Sequence, residues 1–332
     1  MRTWLPWLLR LIGPLLLILF LVNSDIEQLW IILRNADPWP ILLSLLLMPP
    51  FLLIKSWRWQ LLLHDLEIRM PLRTLLGLYT VGIFLGSVTP GQAGDLAKAW
   101  YLRDHGHPLA PGLLSVMLDR LCDLLVMAAF ATLGILALGQ LLPHPALQTV
   151  LVAGMGLGLT LLTVLMAVRG PRQWLLTTVL PRIVPARLQQ SLQRWNSQIS
   201  SLTLHPRLVL LVGTASLISA FFTFWRLWLL FIALDVHVPL SLVIGVSALI
   251  AILQILPISI AGVGVRDALL IAVLTAPPYF YSQEQALGVS ALFLLITLEH
   301  IIVGFIVSFW YPLDKIARQL PAETASLEEP AR

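Results

Sequence analysis

Apolar residues run along this chain in blocks too long and too continuous for a soluble core. Six of them, at 1–23, 39–56, 112–140, 147–168, 208–234 and 286–311, reach or approach the roughly 20 residues that carry a helix across a hydrocarbon layer. They predict six crossings. Two shorter apolar blocks remain: 72–88 stops at Ser87-Val88-Thr89-Pro90-Gly91, and 240–256 stops at Pro257 and resumes past Gly262 and Gly264. Between the fourth and fifth crossings Leu188, Leu192, Trp195, Ile199 and Leu202 recur at spacings of four and three among Gln, Ser, Asn and Arg. That period predicts an amphipathic helix on the membrane surface. The first block starts with a basic Arg2 but meets no small-residue cleavage site at Val22-Asn23-Ser24, so it reads as a retained helix.

Composition agrees: of 332 residues, 58% are hydrophobic and 11% charged, with a mean hydropathy of +0.88, where soluble domains are about a quarter charged. This excludes a water-soluble enzyme, a nucleic-acid binder and a disordered scaffold, despite a net charge of +4 and a pI of 9.6. The basic excess is topological. If both short blocks enter and leave on one face and the N-terminus is cytoplasmic, sixteen of the 21 Lys and Arg fall inside, Lys55, Arg58 and Lys98 among them. Only Arg34 and Arg266 fall outside, and Arg10, Arg120 and Arg226 lie within apolar segments. If 72–88 crossed alone, the basic stretch 169–207 would face outward, against the positive-inside rule. The expected architecture is therefore all-α and polytopic, with about six transmembrane helices and two re-entrant helical hairpins in one domain, 1–320. Both termini are cytoplasmic in a cell inner membrane, and an Ala- and Glu-rich tail, 321–332, is disordered.

The two hairpins enter from opposite faces. Each has a Pro that ends a descending half-helix, glycines at the turn and charge on the returning helix: Gly94-Asp95 with Lys98 in one, Gly264 followed by Arg266-Asp267 in the other. The crossings that follow align too, Asp119-Arg120 over Glu299-His300 at an offset of 180 residues. These features predict inverted repeats over 72–140 and 240–311, an architecture of secondary transporters. Non-helical backbone at depth must be buried in protein or line a wet cavity, and half-helix N-termini at such a cavity favour an anion. Alternatively, Pro90 and Pro257 only mark helix ends in a packed bundle.

Asp119, Arg120 and Asp123 begin about 12 Å into a helix, inside a hydrocarbon layer of about 30 Å. Each charge costs about 2.5–3.5 kcal/mol at the centre of a lipid-exposed helix, so the three are expected to face the protein interior. Arg120 and Asp123 share a face and are expected to pair, either as a structural ion pair or as part of a ligand site. Glu299 and His300 lie near mid-membrane, as proton carriers or as a pair that stitches helices together. Arg226 is expected to snorkel. Arg266, just after the glycine turn, is positioned to clamp a phosphate or to pair with Asp267. The single cysteine, Cys122, gives no disulfide framework. No metal or cofactor is expected: His105-Gly106-His107 is too small a cluster, Gly262-Val263-Gly264 follows no strand, and no P-loop or Gly-x-Ser-x-Gly elbow occurs.

The stretch from Gly86 through Thr89-Pro-Gly-Gln-Ala-Gly-Asp95, with Lys98 and Arg103, then Met117-Leu-Asp-Arg-Leu-Cys-Asp123, and Pro257 with Ala261-Gly-Val-Gly-Val-Arg-Asp267, resembles the flippase-like transmembrane family. That family is related to the membrane region of lysylphosphatidylglycerol synthetase, which in bifunctional relatives flips an aminoacylated phospholipid made by a separate soluble domain. The resemblance implies roles for Asp95, Asp119, Arg120, Gly262, Gly264 and Arg266. Lipid aminoacylation is not carried over, since no such soluble domain is expected here. The expected function is translocation of a lipid with an anionic phosphate headgroup through a polar cavity. Its binding set is Arg120, Arg266, Asp119, Asp123, Asp95, Glu299, His300, Gly94, Gly262 and Gly264, and none of these is catalytic. The alternatives are a membrane enzyme using Glu299 and His300 as acid and base, and a non-transporting partner of lipid-synthesis enzymes. The expected partners are phospholipids with anionic headgroups, with a second copy or a lipid-synthesis enzyme as candidate protein partners, and no nucleic acid.

Overall fold

Prolines set the first structural boundary. A helix starts at Asp37, whose side chain accepts from the Trp39 N–H at 3.0 Å. It runs as Pro38–Leu46, breaks at Leu47 and restarts as Met48–Asp65, because Pro49 and Pro50 bring no N–H to the ladder. A computed structural model of the protein describes residues 25–137, 145–167, 169–174, 177–178, 205–254 and 264–311. Every regular element among them is helical. In chain order these are α1 (Ile26–Arg34), α2 (Pro38–Leu46), α3 (Met48–Asp65), α4 (Leu72–Val88), a 3₁₀ turn (Pro90–Leu96), α5 (Ala97–Asp104), α6 (Leu109–Ala137), α7 (Pro145–Ala167), α8 (Arg169–Trp174), α9 (Pro206–Ala233), α10 (Leu240–Leu253), α11 (Val265–Leu274) and α12 (Gln283–Ser308).

Three of these stretches are long and apolar enough to cross a membrane: Pro38–Asp65, Pro206–Ala233 and Gln283–Ser308. α6, at 29 residues, is longer but carries Asp119, Arg120 and Asp123. The α4 and α10 blocks form shorter apolar helices. Large apolar side chains stand outward along the long helices, Leu217 and Phe221 on α9 and Ile302 and Phe305 on α12, each more than half exposed. A surface of that kind suits lipid rather than water. The expected first helix at 1–23, the surface helix at 188–202, the turn at 257–262 and the tail at 321–332 lie outside the described residues.

The structure corrects one boundary. The block expected at 39–56 continues as helix to Asp65, so Lys55 and Arg58, assigned above to a cytoplasmic loop, sit inside the helical bundle. Arg58 is fully buried, as is Lys98 of α5. The hydropathy pattern ends the block early because Lys, Arg and Gln depress it; burial against acidic partners keeps the helix going.

Among the described residues the two largest apolar cores form from α3, α4, α5 and α6 and from α9, α10, α11 and α12, and two smaller clusters pack α9 against α3 and α6 and against α6 and α10. The two halves interlock. α10 packs on α6, and α4 packs on α12, more extensively than any other pairs of helices. Both contacts depend on glycine: a Cβ on Gly134 of α6 would fall 2.4 Å from the Gly245 Cα of α10, and one on Gly304 of α12 would fall 2.3 Å from the Phe84 Cβ of α4. The helices approach backbone to backbone, as helices do where packing rather than water exclusion drives association.

Candidate functional site

Asp119 and Asp123, one turn apart on α6, face Lys55 and Arg58, which share one face of α3. Arg58 donates from Nε and Nη2 to Asp119 Oδ1 at 2.9 and 2.6 Å, and from Nη1 to Asp123 Oδ1 at 2.6 Å. Its Nη1 also donates to Ser216 Oγ on α9 at 3.0 Å. Lys55 donates to the other Asp123 oxygen at 2.6 Å. Tyr79 of α4 donates its hydroxyl to Asp119 Oδ2 at 2.8 Å. The pairing of Arg120 with Asp123 expected from their spacing is therefore replaced: both Asp123 oxygens are held from α3.

Arg120 instead reaches the broken segment after α4. It donates from Nε to Asp95 Oδ2 at 2.7 Å and from Nη1 to Gln92 Oε1. Asp95 also meets Lys98 at 2.9 Å, and the Lys98 ammonium lies 4.0 Å from the Tyr79 ring centroid and 5.1 Å from that of Trp59, close enough for cation–π attraction. The chain doubles back here at close range: a Cβ on Gly94 would lie 2.2 Å from the Leu85 carbonyl oxygen, so only glycine fits. The Gly94 amide donates to Thr89 Oγ1 at 2.7 Å. Gln92 stands at φ +57°, a left-handed conformation that costs a non-glycine residue about 1 kcal/mol or more. Its side chain reaches Arg120 from there.

A second cluster joins α9 to α12. Arg226 was expected to snorkel towards an interface; instead it is buried, donates from Nη2 to Glu299 Oε2 and from Nε to the Ser44 carbonyl at 2.9 Å, and holds Nη1 at 3.4 Å from His300 Nε2. The His300 Nδ1 lies 2.7 Å from the Ile296 carbonyl. That contact needs a proton on Nδ1, which leaves Nε2 to accept from Arg226. Glu299 and His300 thus both bind one guanidinium rather than each other.

Arg266 lies in the first turn of α11. It is buried, donates to Ser290 Oγ at 3.0 Å and to Asp267 at 3.3 Å, and stacks on the Phe293 ring at 4.8 Å. Gly264 caps this helix at φ +83°, its N–H donating to Asp267 Oδ2 at 2.7 Å. The helix N-terminus expected to face an anion is therefore served in part by the chain's own carboxylate. Gly262 lies outside the described residues.

A cavity of about 580 Å³ opens between the two halves. Lys55, Asp95, Arg120, Asp123, Arg226 and His300 all reach its wall, and so does Phe293, whose ring Arg266 stacks on without itself reaching the wall. Asp119 lies behind the wall, fully buried. Of the four cations in the first cluster, Arg58 and Lys98 are sealed off, the Lys55 side chain is 14% exposed and that of Arg120 is 33% exposed. Four cations (Lys55, Arg58, Lys98, Arg120) meet three carboxylates (Asp95, Asp119, Asp123). One positive charge is left over, and it is most accessible at Arg120.

Lys55, Arg58, Tyr79, Lys98 and Gln92 were not identified as site residues from the sequence. A signal existed: a base pair spaced by three on one apolar helix and an acid pair spaced by four on another have matching periods. No metal-binding group of three or more His, Cys, Asp or Glu occurs among the described residues. A family model described as the lysylphosphatidylglycerol synthase TM region matches residues 7–304. No curated relative matches the chain.

Proposed function

The chain belongs to the family of the lysylphosphatidylglycerol synthase TM region, membrane proteins of lipid metabolism or transport, and we propose that it translocates a lipid with an anionic phosphate headgroup between leaflets through its central cavity. The observation that carries the reading is the surplus cation at the cavity wall: Arg120, one-third exposed, in a cluster with one more base than acid. A phosphate arriving there can take the Arg120 donors now given to Gln92 and Asp95. Asp95 keeps Lys98 at 2.9 Å, so the exchange strands no buried charge, which would otherwise cost several kcal/mol. Acyl chains would stay in the bilayer while the headgroup crosses.

On this reading the breaks at Thr89–Leu96 and around Gly264 are re-entrant hairpins of two inverted repeats, entered from opposite faces of an inner membrane with both termini cytoplasmic. The reciprocal packing of α4 on α12 and α10 on α6 supports the repeat. Irregular backbone bordering a cavity fits the rule for such breaks. The carrier reading is favoured over the enzyme alternative because Glu299 and His300, its acid and base, are both committed to Arg226.

The test is leaflet exchange of acyl-labelled phosphatidic acid in vesicles containing the protein, read by chemical bleaching of the outer leaflet. Bleaching should proceed beyond the outer-leaflet share with the wild type and slow with Arg120→Gln. Bleaching equal to that of protein-free vesicles would reject the reading.

A further inference from the structure

Besides its charged groups, the cavity wall carries Ser87, Thr89, Gln92, Thr223, Gln254 and Thr297. The hydroxyls are already oriented. Ser87 donates to the Ile83 carbonyl at 2.8 Å, Thr89 to that of Leu85 at 2.8 Å and Thr223 to that of Ser219 at 3.1 Å. With their hydrogens directed to their own helices, they present lone pairs as acceptors, one of the two on Thr89 already taken by the Gly94 amide. The carboxamides supply the complement: Gln92 Oε1 is bound to Arg120 until a phosphate takes that donor, and its Nε2 hydrogens can donate to a headgroup hydroxyl. Gln254 stands at the C-cap of α10, and Gln92 lies within the broken segment after α4.

The carboxylates at the wall are not available for a cation. Asp123 has one oxygen on Lys55 and the other on Arg58, each at 2.6 Å, and Glu299 is held by Arg226. Asp95 Oδ2 meets both Lys98 and Arg120. Its Oδ1 is buried without a hydrogen bond among the described residues and is pressed onto Gly82, where a Cβ would fall 2.8 Å away. A monoanionic phosphodiester neutralises the surplus cation of the cluster. An added ammonium restores the surplus in a site of low dielectric, where it is expensive.

Resting on the transport reading, we infer that the headgroup carried here is uncharged beyond its phosphate and rich in hydroxyls, a polyol phosphodiester such as a glycerol or sugar phosphate ester, and that Gln92, Gln254, Thr223 and Thr297 select it. A lipid and a water-soluble phosphate ester share this chemistry, so the experiment distinguishes them.

Vesicles containing the full chain are loaded in parallel with acyl-labelled phosphatidylglycerol, phosphatidic acid, phosphatidylethanolamine or an aminoacylated phosphatidylglycerol, and a further set is offered radiolabelled glycerol 3-phosphate. Phosphatidylglycerol should exchange at least about fivefold faster than either amine-bearing lipid, the scale of one hydrogen bond. Gln254→Leu and Thr223→Val should lower the ratio of phosphatidylglycerol to phosphatidic acid rates by about the same factor; loss of folded protein slows both lipids and leaves their ratio unmoved. Equal or faster exchange of an amine-bearing lipid by the wild type, or an unchanged ratio in variants that keep the wild-type phosphatidic acid rate, overturns the headgroup inference while transport stands. No exchange of any lipid overturns the transport reading itself. Uptake of glycerol 3-phosphate without lipid exchange keeps the headgroup chemistry and rejects the lipid.

Discussion

Arg58 and Asp119 bind each other without any access to solvent: two guanidinium nitrogens converge on Asp119 Oδ1 at 2.9 and 2.6 Å, and a third contact runs from Nη2 to the Asp119 carbonyl at 3.2 Å. The pair ties α3 to α6 in the middle of the bundle. Because neither member faces the cavity, its work is to hold Asp123 and Lys55 in place.

Removing one partner leaves the other charged and buried, which costs about 3–5 kcal/mol. Arg58→Met is therefore expected to lower the thermal stability of the detergent-solubilised protein severely. Arg58→Met with Asp119→Leu should recover most of the loss, since the buried charge goes with its partner. Size-exclusion after heating reads both; additive losses would sink the argument.

Arg120 differs, being partly open and paired at a glycine turn. Arg120→Gln should leave thermal stability within about 1 kcal/mol of the wild type, yet slow headgroup movement by about 10-fold or more, the scale of one charge-assisted hydrogen bond or two. Arg120→Lys keeps the charge and loses the fork, so it should fall between. The measurement is the vesicle exchange assay beside a melting curve.

Arg226 and Glu299 offer a cycle of the same kind on the other wall. Arg226→Met strands Glu299 and should destabilise by about 3 kcal/mol or more, whereas Arg226→Met with Glu299→Gln should be closer to wild type. If the single and double variants melt alike, the pair is not coupled.

The interlock of the halves predicts a sharp contrast among glycines. Gly134→Val, whose Cβ would fall 2.4 Å from the Gly245 Cα, and Gly304→Val, 2.3 Å from the Phe84 Cβ, should each cost about 1–3 kcal/mol or more by overpacking. Gly158→Ala on α7 meets nothing within 4 Å. It should be neutral or stabilise by up to about 1 kcal/mol, as helical Gly→Ala changes do. Thermal stability of the three variants decides.

The sequence by itself determined the helices, because a chain in lipid must satisfy each backbone group within its own segment and hydropathy records that locally. The blocks at 112–140, 208–234 and 286–311 reappear as α6, α9 and α12 with ends shifted by a few residues. It also marked Asp119, Arg120 and Asp123 as charges needing an interior place, and Glu299 and His300 as a pair near mid-membrane. Their partners were not legible. Lys55, Arg58 and Lys98 read as cytoplasmic cations, since a side chain's solvation depends on which helix lies opposite and no local pattern records that. Tertiary packing alone set α3 against α6 and α9 against α12. It thereby buried two bases, Arg58 and Lys98, drew Lys55 to the cavity wall, moved Arg120 from Asp123 to Asp95, and left one positive charge facing a cavity.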